Sequence, residues 1–145
     1  MKTIRVAFYK GTRSGLAGIY SRGVRFVTKG KYSHCEIIFS DGMSASASFV
    51  DGGVRFKAID YSPANWDFLE IDAAFENDAR EWFKEHEGQA YDLLGNLHFF
   101  LPMFGDNRQK WSCAESIAEA LKMPDPWRIH PNNLYQLLKR YYAVR

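Results

Sequence analysis

The chain has 145 residues, the size of one domain, and is read as a single domain over 1–145. Apolar residues make up 46% and charged residues 25%, a balance that can bury a core and excludes intrinsic disorder. A formal net charge of +2 is too small to argue for a nucleic-acid or membrane partner.

Ile4 to Tyr9 predicts a first strand, rich in β-formers. Gly11 to Gly15 is a loop, and Leu16 to Thr28 carries a helical apolar pattern weakened by Gly18 and Gly23. Ser33 to Phe39 alternates as a strand, with Cys35, Ile37 and Phe39 on one face and His34, Glu36 and Ile38 on the other. Asp41-Gly42 marks a turn before a strand over Ser44 to Val50. A two-residue turn would put Ser44, Ser46 and Ser48 on the apolar face, where three hydroxyls are costly to bury. A three-residue loop with a bulge puts them beside His34 and Glu36 instead, and is the expected form. Further strands are expected over Val54 to Ile59 and Asp67 to Ile71.

The second half predicts helices. Asp78 to Glu87 forms one, with Asn77 as N-cap and Gly88 past its end. Asp92 to Leu101 forms a short apolar one before Pro102. Ser112 to Lys122 begins with the capping box Ser112-Cys113-Ala114-Glu115 and is closed by Pro124. Pro131 to Tyr142 is the last, with His130 as its cap. Strands followed by helices imply an α+β fold in which a small antiparallel sheet packs against helices.

The apolar run Val6 to Tyr9 is too short for a signal-peptide core. The longest apolar stretch, Leu93 to Phe104, is broken by Gly95, Asn96, His98 and Pro102, so no membrane span and a cytoplasmic residence are expected. In that compartment Cys35 and Cys113 are expected as free thiols. His34, His86, His98 and His130 lack zinc-site spacing, so neither a metal nor another cofactor is expected.

The capping box places Cys113 at the first helical position, among orphan N–H groups and at the positive end of the helix dipole. Both favour a thiolate, the nucleophilic form. The plainer alternative is a small buried residue. A nucleophilic cysteine needs a base, and His34 suits that role on a polar strand face beside Glu36. The same alternation turns Cys35 away from His34, which argues against a Cys35–Cys113 disulfide.

Four segments carry a family resemblance. Ser33-His34-Cys35-Glu36-Ile37-Ile38 resembles the SH-x-x-I strand of the circularly permuted NlpC/P60 branch of papain-like cysteine hydrolases. Gln89 to Gly95 resembles its Y-D-x-x-G segment, Trp111 to Glu115 its nucleophile helix start, and Pro131 to Leu134 its P-x-x-L helix start. The order, histidine before cysteine, is that of the permuted branch, including its small YiiX/LRAT-like members. The resemblance implies that Cys113 attacks a carbonyl, with His34 as base and then acid. It implies a third polar residue on the next strand, at or near Ser46, where relatives carry a stronger polar group. Glu36 is the alternative for that role. Tyr91 and Trp111 are the residues it sets near the substrate.

The expected activity is hydrolysis of an amide, ester or thioester, with a peptide, a peptidoglycan fragment or an acyl compound as substrate. Lipid acyl hydrolysis or transfer, and a non-catalytic peptide- or protein-binding module on the same fold, are the alternatives. Phe99, Phe100, Met103, Phe104 and Trp111 could line an acyl groove or simply pack. The oligomeric state stays open.

Overall fold

The computed structural model describes residues 1–11, 22, 30–91 and 110–144. Its fold is α+β. The strands are β1 (Thr3–Tyr9), β2 (His34–Ile38), β3 (Ser44–Ser48), β4 (Gly53–Lys57), β5 (Trp66–Asp72), β6 (Ala90–Tyr91) and β7 (Lys110–Trp111). They form one sheet in the order β5-β1-β2-β3-β4-β6-β7. Neighbours run antiparallel except β6 and β7, which are parallel. Among the described residues the α-helices are α1 (Glu76–His86), α2 (Cys113–Ala120) and α3 (Pro131–Tyr141). None is long and apolar enough to cross a membrane.

The main core lies between one sheet face and the helices. Cys35, Ile37 and Phe39 of the β2 segment meet Phe83 of α1, Ile117 of α2 and Leu134 of α3 there. Phe8, Phe83, Ile117 and Leu138 are fully buried, each contributing about 1.5–3 kcal/mol by leaving water. α2 is the central helix, with residues 113–118 all buried. A smaller cluster on the opposite sheet face joins Ala7, Ile38 and Trp66, with Tyr9, Tyr61 and Phe68 packed against it.

The β2–β3 connection has the expected form. Phe39 N–H donates to Met43 C=O, Gly42 N–H donates to Phe39 C=O, and Gly42 has φ +85°. This three-residue loop with a left-handed glycine gives the register Ile37↔Ala45 and Ile38↔Ser44. Ser44, Ser46 and Ser48 therefore share the face of His34 and Glu36. That face is not open, however: all three serines are buried, and Ser44 Oγ lies 2.7 Å from Tyr61 Oη.

The ladder between β2 and β3 stops after those two pairs, although β3 stays paired to β4 as far as Ser48↔Gly53. Side chains complete what the strands leave unpaired. Ser46 Oγ donates to Cys35 C=O at 2.8 Å. Ala47 N–H donates to Ser116 Oγ at 3.2 Å, and Ser116 Oγ donates to Cys113 C=O at 2.7 Å. The helix start is thus wedged into the opening between two strands.

Caps explain the helix boundaries. Ser112 accepts from Glu115 N–H and starts α2 as expected. His130 caps α3 through a reciprocal box with Asn133, and Pro131 occupies the first turn. Asn77 is not the cap of α1, because a 3₁₀ turn over Ala73–Phe75, capped by Asp72, starts the helix earlier. The Asn132 side chain binds both the N–H and the C=O of Tyr32, each at 2.9 Å, and ties α3 to the entry of β2. The two-residue strands β6 and β7 carry no alternation long enough to be read from sequence. The expected helices over Leu16 to Thr28 and Asp92 to Leu101 lie outside the described residues.

Candidate active site

His34 opens β2 and Cys113 opens α2, so both stand where their element begins. The His34 ring and the Cys113 thiol are close enough for each to shift the other's proton affinity. His34 Nε2 lies 2.7 Å from Glu36 Oε1. With Nε2 held by the carboxylate, Nδ1 is the nitrogen left to serve the sulfur. Cys113 is 3% exposed and Glu36 1%.

Glu36 is fixed from its other side by Arg55. Arg55 Nη1 donates to Glu36 Oε2 at 2.8 Å, and Nη2 donates to Oε1. Arg55 Nε donates to Asp51 Oδ2 at 2.8 Å, and Lys57 Nζ donates to Asp51 Oδ1 at 3.0 Å. A chain of alternating charge therefore runs from the buried sulfur outward to the surface: Cys113, His34, Glu36, Arg55, Asp51.

The charges set the protonation states. Burial alone would lower His34, but hydrogen bonds to Cys113 and Glu36, with their charges, lift it to about 9. A hydrogen bond from Cys35 is the largest cause holding Cys113 well below the usual thiol range. Burial opposes it, and the bond and charge of His34 reinforce it. Both shifts favour the thiolate–imidazolium form of the dyad. Burial alone would raise Glu36, but bonds and charge from Arg55 and His34 hold it below the usual carboxylate range.

The structure separates the two candidates for the third position. Glu36 touches His34. Ser46 does not: its hydroxyl donates to the carbonyls of Cys35 and Ala47. Ser46 pairs with Arg55 across β3 and β4, and lies on the face of Glu36 across β2 and β3. Two strand spacings, about 10 Å, separate the backbones of β2 and β4. The small serine between them leaves the path along which Arg55 reaches Glu36. A serine at this position fills an unpaired carbonyl and makes room.

Arg55 is the functional residue that sequence reasoning missed. Its signal was an arginine on the strand after the serine strand, at a register that only the bulged loop defines. Cys35 departs from expectation in a different way. It does lie on the sheet face opposite Glu36, yet α2 packs on that face, so Cys35 and Cys113 share one buried core. Burial pushes the Cys35 thiol well up, and the neighbouring Cys113 adds to it. Both cysteines are free.

Tyr91 and Trp111 lie on β6 and β7, paired with each other in register. Trp111 Nε1 donates to Gln89 Oε1 at 2.6 Å, and its ring meets Trp82 and His86 edge-on. Tyr91 meets Phe49. These contacts brace the segment that enters α2. His86, stacked on Trp82 and bonded to its carbonyl, is part of the same brace. The segment Phe99 to Phe104 lies outside the described residues.

A cleft of about 400 Å³ lies at the start of α3, lined by Lys31, Tyr32, His130, Tyr135 and Gln136 among others. Burial holds His130 below the usual imidazole value, while the Cys113 charge pulls it the other way. Its Nδ1 accepts from Asn133 N–H. The neutral ring therefore carries its proton on Nε2. Among the described residues no cluster of side chains suits a metal ion. No family model matches the chain, and no curated protein matches it.

Proposed function

We propose that this protein is a cysteine hydrolase acting on an amide, ester or thioester, with Cys113 as nucleophile, His34 as acid and base, and Glu36 orienting His34. The observation that carries the reading is the His34 ring bonded to the Glu36 carboxylate at 2.7 Å, with Cys113 the neighbour that most raises its proton affinity. Packing alone would not bury a carboxylate, an imidazole and a thiol in line, because each charge costs several kcal/mol to desolvate. Arrays of this kind occur where a perturbed pKa is useful.

In this reading the thiolate attacks the carbonyl carbon, and the carbonyl π electrons move to oxygen. The Cys113 and Ala114 N–H groups, in the first turn of α2, have no intrahelical carbonyl to bind and can donate to that oxyanion. The His34 imidazolium gives its proton to the leaving amine, alcohol or thiol as the tetrahedral adduct collapses to an acyl-thioester. The neutral imidazole then takes a proton from water, which attacks the thioester and releases the acid and Cys113. Glu36 stays ionised and keeps Nε2 bonded throughout.

The order of His34 on a strand before Cys113 on a helix supports membership of the permuted NlpC/P60 branch, with a papain-like arrangement of sheet and nucleophile helix. A peptide-like acyl donor, a peptidoglycan fragment among them, is the substrate class of this reading. Residence in the cytoplasm belongs to the same reading.

Thiol chemistry tests it. Iodoacetamide at pH 6 is expected to alkylate Cys113 rapidly and leave Cys35 untouched. Peptide, ester and thioester warheads are then expected to label the wild type and not Cys113→Ala. Equal, slow alkylation of both cysteines at that pH would overturn the enzyme reading and leave a binding module.

A further inference from the structure

The proposed mechanism orients His34 through Glu36, and a bond at one ring atom leaves an imidazole free to tilt about it. The sheet supplies a second hold. Tyr9 of β1 stands opposite His34 on one side and opposite Trp66 on the other. Residues paired in this way share a sheet face, so His34, Tyr9 and Trp66 form one row across three strands. The Trp66 indole reaches along that row to the imidazole. The two rings meet edge-on, with centroids 6.3 Å apart and planes at 71°. That lies within the range of aromatic pairs, about 4.5–7 Å. Trp66 is itself held on two sides, by the Tyr9 ring at 5.0 Å and the Tyr61 ring at 4.9 Å. Its N–H donates to Ser62 C=O at 3.1 Å, which fixes the start of β5. Trp66 is 7% exposed and the His34 side chain 12%.

We infer that Trp66 is a positioning residue, whose indole sets the tilt of the His34 ring and shields the His34–Glu36 bond from water. The role rests on the hydrolase reading for the use made of His34, while the ring pair itself does not. Glu36 fixes the ring at Nε2, 2.7 Å away. Rotation of an imidazole about its last side-chain bond is broad, so a contact at another part of the ring is needed to select one tilt. Trp66 makes that contact. The tilt decides where Nδ1 aims, and a displacement of about 1 Å near reacting atoms can cost on the order of a hundredfold in rate. The cover matters too, because attraction between imidazolium and carboxylate weakens as water reaches it.

The charged neighbours of the imidazole are Glu36 from β2, backed by Arg55 from β4, and Cys113 from α2. From β1 the Tyr9 phenol stands next in the row, and from β5 Trp66 brings no charge. Tyr61, on the other side of the indole, is lifted by burial above the usual phenol range and stays protonated. A proton gained or lost by His34 is therefore a charge gained or lost beside the indole. Trp66 as plain core filling would govern stability and leave the His34 titration alone. Trp66 as a cover makes the His34 midpoint depend on it, since a group reached by water moves toward its ordinary value.

The test is 19F NMR of the whole chain labelled with 5-fluorotryptophan, titrated from about pH 5 to 11 beside the histidine ring signals. Of the four tryptophans, Trp66 gives the signal that Trp66→Phe removes. That signal is expected to titrate with the midpoint of the His34 ring, about 9, and to stay flat there in His34→Ala. In Trp66→Leu the His34 midpoint is expected to move toward 6.5, while Trp66→Phe, which keeps a ring, stays close to wild type. With p-nitrophenyl acetate, Trp66→Leu is expected to lower kcat on the order of tenfold and to change KM by less than about twofold. Circular dichroism checks that the variants are folded, and the wild-type titration decides the matter if Trp66→Leu is not. The inference is overturned if the Trp66 signal stays flat while His34 titrates, or if folded Trp66→Leu titrates as wild type does. A flat Trp66 signal in a protein that acyl probes label would sink the positioning role alone. Coupled titration in a protein that no acyl probe labels would sink the hydrolase reading and leave the held ring.

Discussion

Two carboxylates in this sheet bind cations in similar ways with opposite consequences. Asp67, on β5, pairs with Lys10 at 2.7 Å and Lys31 at 2.9 Å and accepts from Tyr32 Oη at 2.5 Å. Its side chain is 26% exposed, and that of Lys31 is 62% exposed. Glu36, on β2, pairs with His34 and Arg55 at 1% exposure. Both carboxyls are held below their usual range, Asp67 first by the Lys10 bond and Glu36 by Arg55 and His34 against burial. Water screens the first cluster, so either lysine can be lost cheaply. In the second the carboxylate itself is cut off from water and depends on its two partners.

Breaking the charge chain at Glu36 gives the largest effect. Arg55→Ala leaves Glu36 buried against His34 alone and is expected to cost about 3–5 kcal/mol, read as a lower urea midpoint. Arg55→Lys should recover part of this, since one ammonium replaces a two-pronged guanidinium. Glu36→Gln removes the charge that orients His34. The expected loss in kcat/KM is on the order of a hundredfold, and a 15N-edited titration should find His34 well below about 9.

The pH dependence has a definite sign. His34 is raised in the folded protein from 6.5 to about 9. Its protonation therefore stabilises the fold fully below pH 6.5, and this contribution is lost as pH rises through about 9. Thermal midpoints measured between those limits should fall in wild type and stay flatter in His34→Ala.

Ser46→Ala should cost about 1 kcal/mol, because the Cys35 carbonyl loses one donor, while activity is kept. A bulky residue at 46 would block Arg55 and reproduce part of the Arg55→Ala loss, which separates the two duties of that position. The smallest change is expected at the surface cluster. Lys31→Ala, judged by the same urea midpoint, should shift stability by less than about 1 kcal/mol. A loss as large as that of Arg55→Ala would erase the contrast between the two carboxylates.

Much of this was written locally in the chain. Asp41-Gly42 fixes the loop that sets the β2–β3 register, Ser112 fixes the start of α2, and His130 with Pro131 fixes the start of α3. Those signals placed His34 on a strand and Cys113 at a helix start. What escaped depends on distant chain. Arg55 reaches Glu36 across an intervening strand, and that path exists only once three strands are aligned. That Cys35 and Cys113 share one core escaped because strand alternation tells which face a residue takes, not which helix covers it. Glu36 and Ser46 looked equivalent in sequence, and the reach of a carboxylate two residues along the same strand separates them.

The wedge of α2 between β2 and β3 also bears on how the protein opens. The Ala47 amide is bonded to the Ser116 hydroxyl, so it does not depend on a partner strand. Deuterium should enter there at the rate at which the helix lifts from the sheet, while Ile37 and Ala45 exchange only on wider unfolding. That amide serves as a clock for detachment of the nucleophile helix.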